Sequence, residues 1–170
     1  AFAQSGVHAA GISLVLVGQG PCEQDIHQTI DRQGLSERVV ILNSVANQNM
    51  PGLYSLAEFA VLASAFDQWG LCINEAFAAG KSAIVTRTCG VAHELVLDGV
   101  NGFIVEPGDV PALADRMRLL STNAPLRERF SESAAATIAH WTPTLFATNV
   151  IELAESMFNA ATPTRVGHAA

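Results

Sequence analysis

Two acidic residues, Asp67 and Glu75, are separated by seven residues in a stretch that also contains Gly70. A helix that begins near Gly70 would carry Glu75 in its second turn and leave Asp67 in the preceding loop. Both carboxylates would then lie beside the unpaired N–H groups at the positive end of the helix. Amides suit phosphates and carboxylates suit hydroxyls, so the pattern predicts a ligand with both, such as a sugar nucleotide. A helix cap followed by a surface glutamate is the alternative that the spacing leaves open.

The composition is that of a globular protein with a weakly charged surface. The 170 residues fit one domain, and apolar residues make up 49% against 15% charged, which is unlike a disordered chain. A net charge of −7 argues against a nucleic-acid surface. No apolar run reaches the roughly 18 residues of a membrane span. The scattered Cys22, Cys72 and Cys89 predict neither a disulfide framework nor a zinc site, and they fit a reducing compartment such as the cytoplasm.

Short apolar runs alternate with helical patterns along the chain. Runs that are apolar along their whole length predict strands buried on both faces, as in a parallel sheet. The alternation predicts an α/β fold with a doubly wound, mostly parallel sheet flanked by helices, followed by C-terminal helices. We expect one domain over 1–160 and a disordered tail over 161–170. Strands are predicted at 13–17, 39–42, 59–63, 83–86 and 102–105, and helices at 23–33, 50–56, 70–79, 90–97, 110–120, 124–139 and 143–158.

Three loops follow the carboxyl ends of these strands, where such folds bind ligands. In the first, Gly18 either lets the backbone approach a ligand or makes a plain turn, and Glu23 breaks the dinucleotide pattern GxGxxG. In the second, Trp69 either stacks on a ring or anchors its loop to the core. In the third, His93 beside Glu94 is a weaker candidate for a base than for a surface or packing role. No histidine has a partner at metal-ligand spacing, so no metal is expected.

Several segments together resemble one enzyme family. Residues 67–80 (DQWGLCINEAFAAG) resemble the E-x7-E signature of retaining glycosyltransferases with the GT-B fold. More narrowly, they resemble the glycosyl transferases group 1 family, which includes many bacterial wall, capsule and polysaccharide enzymes. Further segments are similar to the family's motifs in the same order: 14–21 to LxxxGxGP, 39–45 to VxFxGxV, 53–58 to LYxxAD, 90–102 to GxxxExVxxGxNG, and 107–109 to PGD.

The resemblance implies a role for each matching residue. Glu75 would hydrogen-bond the ribose hydroxyls of the donor, and Asp67 would hold hydroxyls of the transferred sugar. Gly70 and Leu71 would offer backbone N–H groups to the sugar or the diphosphate, and the neighbourhood of Val45 would contact the base. The predicted catalytic residues are thus Asp67 and Glu75, and the predicted donor-binding residues are Gly18, Val45, Trp69, Gly70, Leu71 and Glu75.

The resemblance also implies the Rossmann-like, donor-binding C-terminal half of a two-domain, metal-independent enzyme without a cofactor. The enzyme would transfer a hexosyl unit from a nucleoside-diphosphate sugar to a glycan or lipid acceptor held by an N-terminal domain. It would be cytoplasmic, and contact with the inner membrane is common among such enzymes. The chain departs from the family at Asp67, where glutamate is usual, and at Lys81, where proline is common. The family's first strand, with the Arg–Lys pair that neutralises the diphosphate, is absent, so we expect the chain alone to be inactive.

Two other interpretations stay open at this level. A non-catalytic module would keep the nucleotide pocket, or only the fold, and the Asp at position 67 together with the missing basic pair favours it. A GT-B sugar-nucleotide epimerase would also bind nucleotide, although the Asp67 to Glu75 run fits it less well. The base, the sugar, the acceptor and the linkage are not encoded in any pattern that we recognise.

Overall fold

A computed structural model of the chain describes residues 1–161. The chain divides into two compact units, Ala1–Ile138 and Ala139–Ala170. Apart from Ala161, the residues of the predicted tail lie outside the described part. In the second unit the structure describes one helix, α8 (Pro143–Ala161). Within residues 1–161, no helix combines the length and the apolar character that crossing a bilayer requires.

The first unit alternates strands and helices in the predicted order. Its strands are β1 (Leu14–Val17), β2 (Val39–Leu42), β3 (Ala60–Leu62), β4 (Ala83–Thr86) and β5 (Gly102–Val105). Its helices are α1 (Phe2–Ser5), α2 (Glu23–Arg32), α3 (Met50–Leu56), α4 (Leu71–Ala78), α5 (Val91–Glu94), α6 (Val110–Thr122) and α7 (Ala124–Ile138), with 3-10 turns at Val7–Ala10 and Asn47–Asn49.

All strand pairs are parallel, which confirms the predicted fold class of parallel strands flanked by helices. The strands form two hydrogen-bonded sheets and not one continuous sheet. One sheet joins β1 to β2, and the other has the order β3-β4-β5. Ligand-binding loops in such folds follow the carboxyl ends of the strands, so the loops after β1, β2, β3 and β4 are the ones of interest.

Strand β4 is the central strand of the three-stranded sheet and is buried on both faces, as predicted. Ile84 packs into one apolar cluster, which includes Phe103 and Phe130. Its neighbour Val85 packs into the other cluster, which includes Phe77. All four residues of β4 are buried. This strand therefore fixes the position of the loop that follows it.

Strand β1 differs from the prediction of burial on both faces. Val15 and Val17 are 42% and 45% exposed, whereas Leu14 packs against a core cluster. The reason is that the helices next in sequence to β1 and β2, α2 and α3, contain no fully buried residue and leave one face of the strand pair accessible.

Helix α2 begins at Glu23, as predicted, directly after a turn. The N–H of Glu23 donates to the carbonyl of Gly20 at 3.2 Å, which closes a turn around Pro21 and Cys22. A fixed φ suits proline to the second residue of such a turn.

Candidate functional site

The start of α4 is set by Gly70, as the sequence predicted. Gly70 adopts φ +98°, and a Cβ atom there would lie 2.5 Å from Cδ2 of Leu62. The N–H of Ile73 donates to the Gly70 carbonyl at 2.9 Å, which begins the helix. The amides of Leu71 and Cys72 therefore belong to the first turn, where helix geometry provides no intrahelical acceptor. The carboxyl end of β3 thus leads into a helix start that can receive an anion.

Asp67 lies in the loop between β3 and α4 and is half-buried. Its Oδ1 accepts a hydrogen bond from the N–H of Trp69 at 3.0 Å. The loop is held against the start of α5 by two backbone bonds, from Gly90 N to Asp67 O at 3.1 Å and from Val91 N to Trp69 O at 2.8 Å. A Cβ atom at Gly90 would lie 2.3 Å from the carbonyl oxygen of Gln68, so glycine permits this close approach.

Trp69 has the contacts expected of an anchor for this loop. Its side chain is half-buried and packs against the cluster that contains Ile73 and Phe77. The indole Nε1 donates to Oδ1 of Asn74 at 2.8 Å. These contacts favour the anchoring interpretation over stacking, and a direct contact between Trp69 and a donor stays a prediction.

Glu75 is exposed in the second turn of α4, as predicted, and it has a partner that the sequence analysis missed. Its Oε2 accepts a hydrogen bond from the hydroxyl of Tyr54 on α3 at 3.0 Å. Burial raises the pKa of the Tyr54 phenol well above its usual range, and the hydrogen bond to Glu75 and the negative charge of Glu75 raise it further. Tyr54 is the single tyrosine of the chain, and this was the only signal in the sequence. No local pattern reveals that its helix packs beside α4.

A cavity of about 230 Å³ adjoins this hydrogen bond. Most of its lining residues are apolar, and three have polar side chains, Asn47, Tyr54 and Glu75. An apolar pocket with a few convergent polar groups is the usual form of a small-molecule site. The lining residues are Asn47, Met50, Pro51, Tyr54, Glu75, Ala78 and Ala79.

The two carboxylates of the signature-like run act on one common neighbour, the thiol of Cys72. Burial raises the pKa of this thiol, and the negative charges of Asp67 and Glu75 raise it further. Cys72 lies between them in the first turn of α4. Asp67 thus lies in the loop before α4, and Glu75 lies in the second turn of that helix.

Gly18 and Val45 follow the carboxyl ends of β1 and β2. Gly18 adopts φ +140°, and its N–H donates to the carbonyl of Leu42 at 2.9 Å, which extends the strand pairing by one bond. Val45 is half-buried in the segment between β2 and the 3-10 turn. Contact of either residue with a donor stays a prediction.

Positive charge is scarce around this site. Arg87 follows β4, but its guanidinium is paired with the carboxylate of Glu106, and both side chains are more than half exposed. Lys81 follows α4 at the end opposite the free amides. Within residues 1–161, no group of three or more His, Cys, Asp or Glu side chains is arranged to hold a metal ion.

The comparisons with known proteins agree with one another. Residues 1–137 match the family model described as glycosyl transferases group 1. Alpha-D-kanosaminyltransferase of Streptomyces kanamyceticus is 33% identical over 122 residues, which cover 72% of this chain and 31% of that enzyme. The chain thus spans about a third of the length of the first curated relatives that it matches.

Two solved structures show the same fold. HepE of Anabaena, crystallised in complex with UDP, superposes with a TM-score of 0.78 at 27% identity, covering 91% of this chain and 44% of that one. The C-terminal domain of LpcC, a glycosyl transferase group 1 family protein of Francisella tularensis, superposes with a TM-score of 0.71 at 23% identity. That match covers 81% of this chain and 75% of the LpcC chain.

Proposed function

The chain belongs to the glycosyl transferases group 1 family, and on this basis we propose that it is the donor-binding part of a cytoplasmic glycosyltransferase. The observation that carries the proposal is the start of α4 after β3, with Asp67 in the loop before Gly70 and Glu75 in the second turn of the helix. The proposed donor is a nucleoside-diphosphate sugar. HepE was crystallised with UDP and with UDP-glucose, which supports UDP-sugars as the first donors to test.

Each group in the proposed site has a distinct task. Glu75 accepts hydrogen bonds from the ribose hydroxyls, because a carboxylate can receive both hydroxyls of a diol. Asp67 holds hydroxyls of the transferred sugar through Oδ2, since its Oδ1 accepts the bond from Trp69. The amides of Gly70 and Leu71 receive the diphosphate or the sugar, in the field of the helix dipole.

We propose transfer of a hexosyl unit to a glycan or lipid acceptor with retention of the anomeric configuration. The similarity of the Asp67 to Glu75 spacing to the signature of retaining enzymes supports this stereochemistry. Comparison of the anomeric proton signals of donor and product by NMR tests it, and an inverted product would overturn it. The α4 amides and dipole would stabilise the charge that develops on the departing diphosphate.

The chain alone is proposed to bind donor weakly at best and not to turn it over. Arg87 is paired with Glu106, and no other basic side chain in the described part of the chain follows a strand end near α4. Stabilisation of a leaving diphosphate would therefore require cationic groups from outside these 170 residues. Turnover of a sugar nucleotide by the 170 residues alone would overturn this part of the proposal.

Calorimetric titration with UDP-, GDP- and ADP-sugars tests donor binding in the full-length protein that contains this chain. Glu75→Ala should weaken the affinity for the preferred donor at least about tenfold, as for a lost bond to a charged group. Glu94→Ala is the matched control, because Glu94 is an exposed glutamate of α5 and its loss changes the net charge equally. Equal effects of the two variants, or no binding of any donor, would contradict the proposal.

A non-catalytic nucleotide-binding or scaffold module is the second candidate. The engagement of Asp67 Oδ1 in the loop and the pairing of Arg87 with Glu106 favour it. This candidate predicts nucleotide binding, or none, without sugar transfer or donor hydrolysis in the full-length protein. Any donor-dependent glycosylation of a glycan or lipid acceptor would exclude it.

A further inference from the structure

We propose that Tyr54 is a positioning residue for Glu75, and that its hydroxyl fixes the carboxylate in the orientation that receives the donor's ribose. This inference rests on the proposed function of Glu75. Under this inference, the function of Glu75 depends on Tyr54, which lies on another helix 21 positions earlier in the chain.

Of the two side chains, Tyr54 is restrained by its surroundings and Glu75 is mobile. Glu75 is exposed, and an exposed glutamate on a helix has several rotamers of similar energy, so holding one of them costs conformational entropy. Tyr54 is half-buried on α3, so its ring has far less freedom. The hydrogen bond of 3.0 Å from the phenol to Oε2 therefore selects one orientation of the carboxylate before a ligand arrives.

The bond leaves the carboxylate with capacity for a diol. A phenol donates one proton, and an ionised carboxylate has about four acceptor positions on its two oxygens. Oε1 and the second lone pair of Oε2 are then available to two hydroxyls. Tyr54 and Glu75 both line the cavity of about 230 Å³, so a ring that carries hydroxyls can approach the oriented carboxylate from that side.

The protonation state of Tyr54 suits this role. Burial and the neighbouring Glu75 carboxylate raise the pKa of the phenol, so the hydroxyl stays protonated and remains a donor throughout the neutral range. The Tyr54 hydroxyl can therefore keep donating to Glu75 at neutral pH.

A double-mutant cycle for UDP binding tests the proposal in the full-length protein. Tyr54→Phe removes only the hydroxyl and should weaken UDP binding about three- to tenfold, the range for one lost hydrogen bond. The same substitution in a Glu75→Ala background should have no further effect, because the group it orients is gone. An unchanged affinity in Tyr54→Phe, or an undiminished loss in the double variant, would overturn the positioning role.

The proposed function and this inference fail in different ways. If Glu75→Ala binds UDP as well as the wild type does, the proposed function fails. If Glu75→Ala weakens binding and Tyr54→Phe does not, only the positioning role fails.

A spectroscopic titration without ligand supplies an independent readout. Phenolate absorbance is followed as the pH is raised, and subtraction of the Tyr54→Phe curve isolates Tyr54. The phenol should ionise at lower pH in Glu75→Ala than in the wild type, because the hydrogen bond and the negative charge that raise its pKa are removed. Identical titration curves would show that the two side chains do not interact, and would overturn the proposal.

Discussion

The carboxylate of Asp67 accepts a hydrogen bond from the backbone N–H of Trp69, with 3.0 Å between Oδ1 and the nitrogen. A short acidic side chain that bonds the backbone two residues ahead closes a local turn, and aspartate suits this geometry better than glutamate. The aspartate that departs from the family's usual glutamate therefore shapes the loop that leads into α4. Its second oxygen is not used by this turn.

The Asp67 turn predicts different results for two substitutions. Asp67→Asn keeps an Oδ1 acceptor, so its free energy of unfolding should stay within about 0.5 kcal/mol of the wild type, whereas Asp67→Ala should lose about 1 kcal/mol. Urea denaturation measures both. If Asp67→Asn were as destabilised as Asp67→Ala, the charge and not the turn would be the stabilising factor. Under the proposed function, both variants should bind UDP-glucose more weakly than the wild type does, with UDP affinity less affected.

Gly70 should not tolerate a side chain. In Gly70→Ala the new Cβ would clash with Leu62, and the backbone would keep a positive φ that is unfavourable for alanine, so we expect a loss of about 2–4 kcal/mol. Gly80→Ala is the matched control, because Gly80 has φ +69° and a Cβ atom added there would meet no atom within 4 Å. That variant should lose only about 1–2 kcal/mol, the cost of the backbone conformation. Similar midpoints in urea denaturation for both variants would show that the contact with Leu62 relaxes freely.

Asn101 holds the loop before β5 and is fully buried. Its Oδ1 accepts from the N–H of Leu97 at 2.7 Å, and its Nδ2 donates to the carbonyl of Leu95 at 3.1 Å and to the hydroxyl of Thr137 at 3.2 Å. Asn101→Ala would leave these buried groups unpaired and should cost about 2–4 kcal/mol of unfolding free energy.

Asn123→Ala is the control for that experiment. Asn123 makes an exposed bond to the N–H of Leu126 at the start of α7, and its loss should cost about 1 kcal/mol. Both values come from chemical denaturation under the same conditions. A smaller loss for Asn101→Ala than for Asn123→Ala would refute the central role of Asn101 in this loop.

Cys72 offers a chemical probe of the two carboxylates. Because its pKa is raised, little thiolate forms at pH 7.5, so alkylation by iodoacetamide should be slow and should accelerate as the pH increases. Glu75→Gln removes one of the negative charges that raise this pKa and should speed the alkylation of Cys72. Peptide mass spectrometry separates Cys72 from Cys22 and Cys89. Equal alkylation rates in the wild type and Glu75→Gln would show that the Glu75 carboxylate does not act on the thiol.

The strands and the main helices were predictable because their signals are local. An apolar run such as 83–85 predicts a strand without knowledge of what packs against it. The two 3-10 turns were not predicted as separate elements, since segments of three or four residues carry no periodicity. Exposure of Val15 and Val17 was mispredicted because the same apolar strand is buried or exposed according to what covers it.

Within the site, the sequence predicted the helix start and the positions of Asp67 and Glu75, but not their partners. The bond from the Trp69 N–H to Asp67 Oδ1 depends on the backbone conformation of a loop. The bond from Tyr54 to Glu75 depends on how α3 packs beside α4, which joins residues 21 positions apart. Such pairs follow from tertiary packing, for which a single sequence contains no periodic signal.

The division of the strands into two sheets affects which backbone amides can exchange hydrogen through local unfolding. β1 and β2 pair with each other and with no other strand in the described residues, so their amides can exchange hydrogen without disruption of β4. The bond between Tyr54 and Glu75 links the helix that follows β2 to the helix that follows β3. A nucleotide that binds to both helices would then slow hydrogen exchange in β1 and β2 without contacting these strands. Part of the binding free energy would stabilise the β1-β2 sheet against local unfolding.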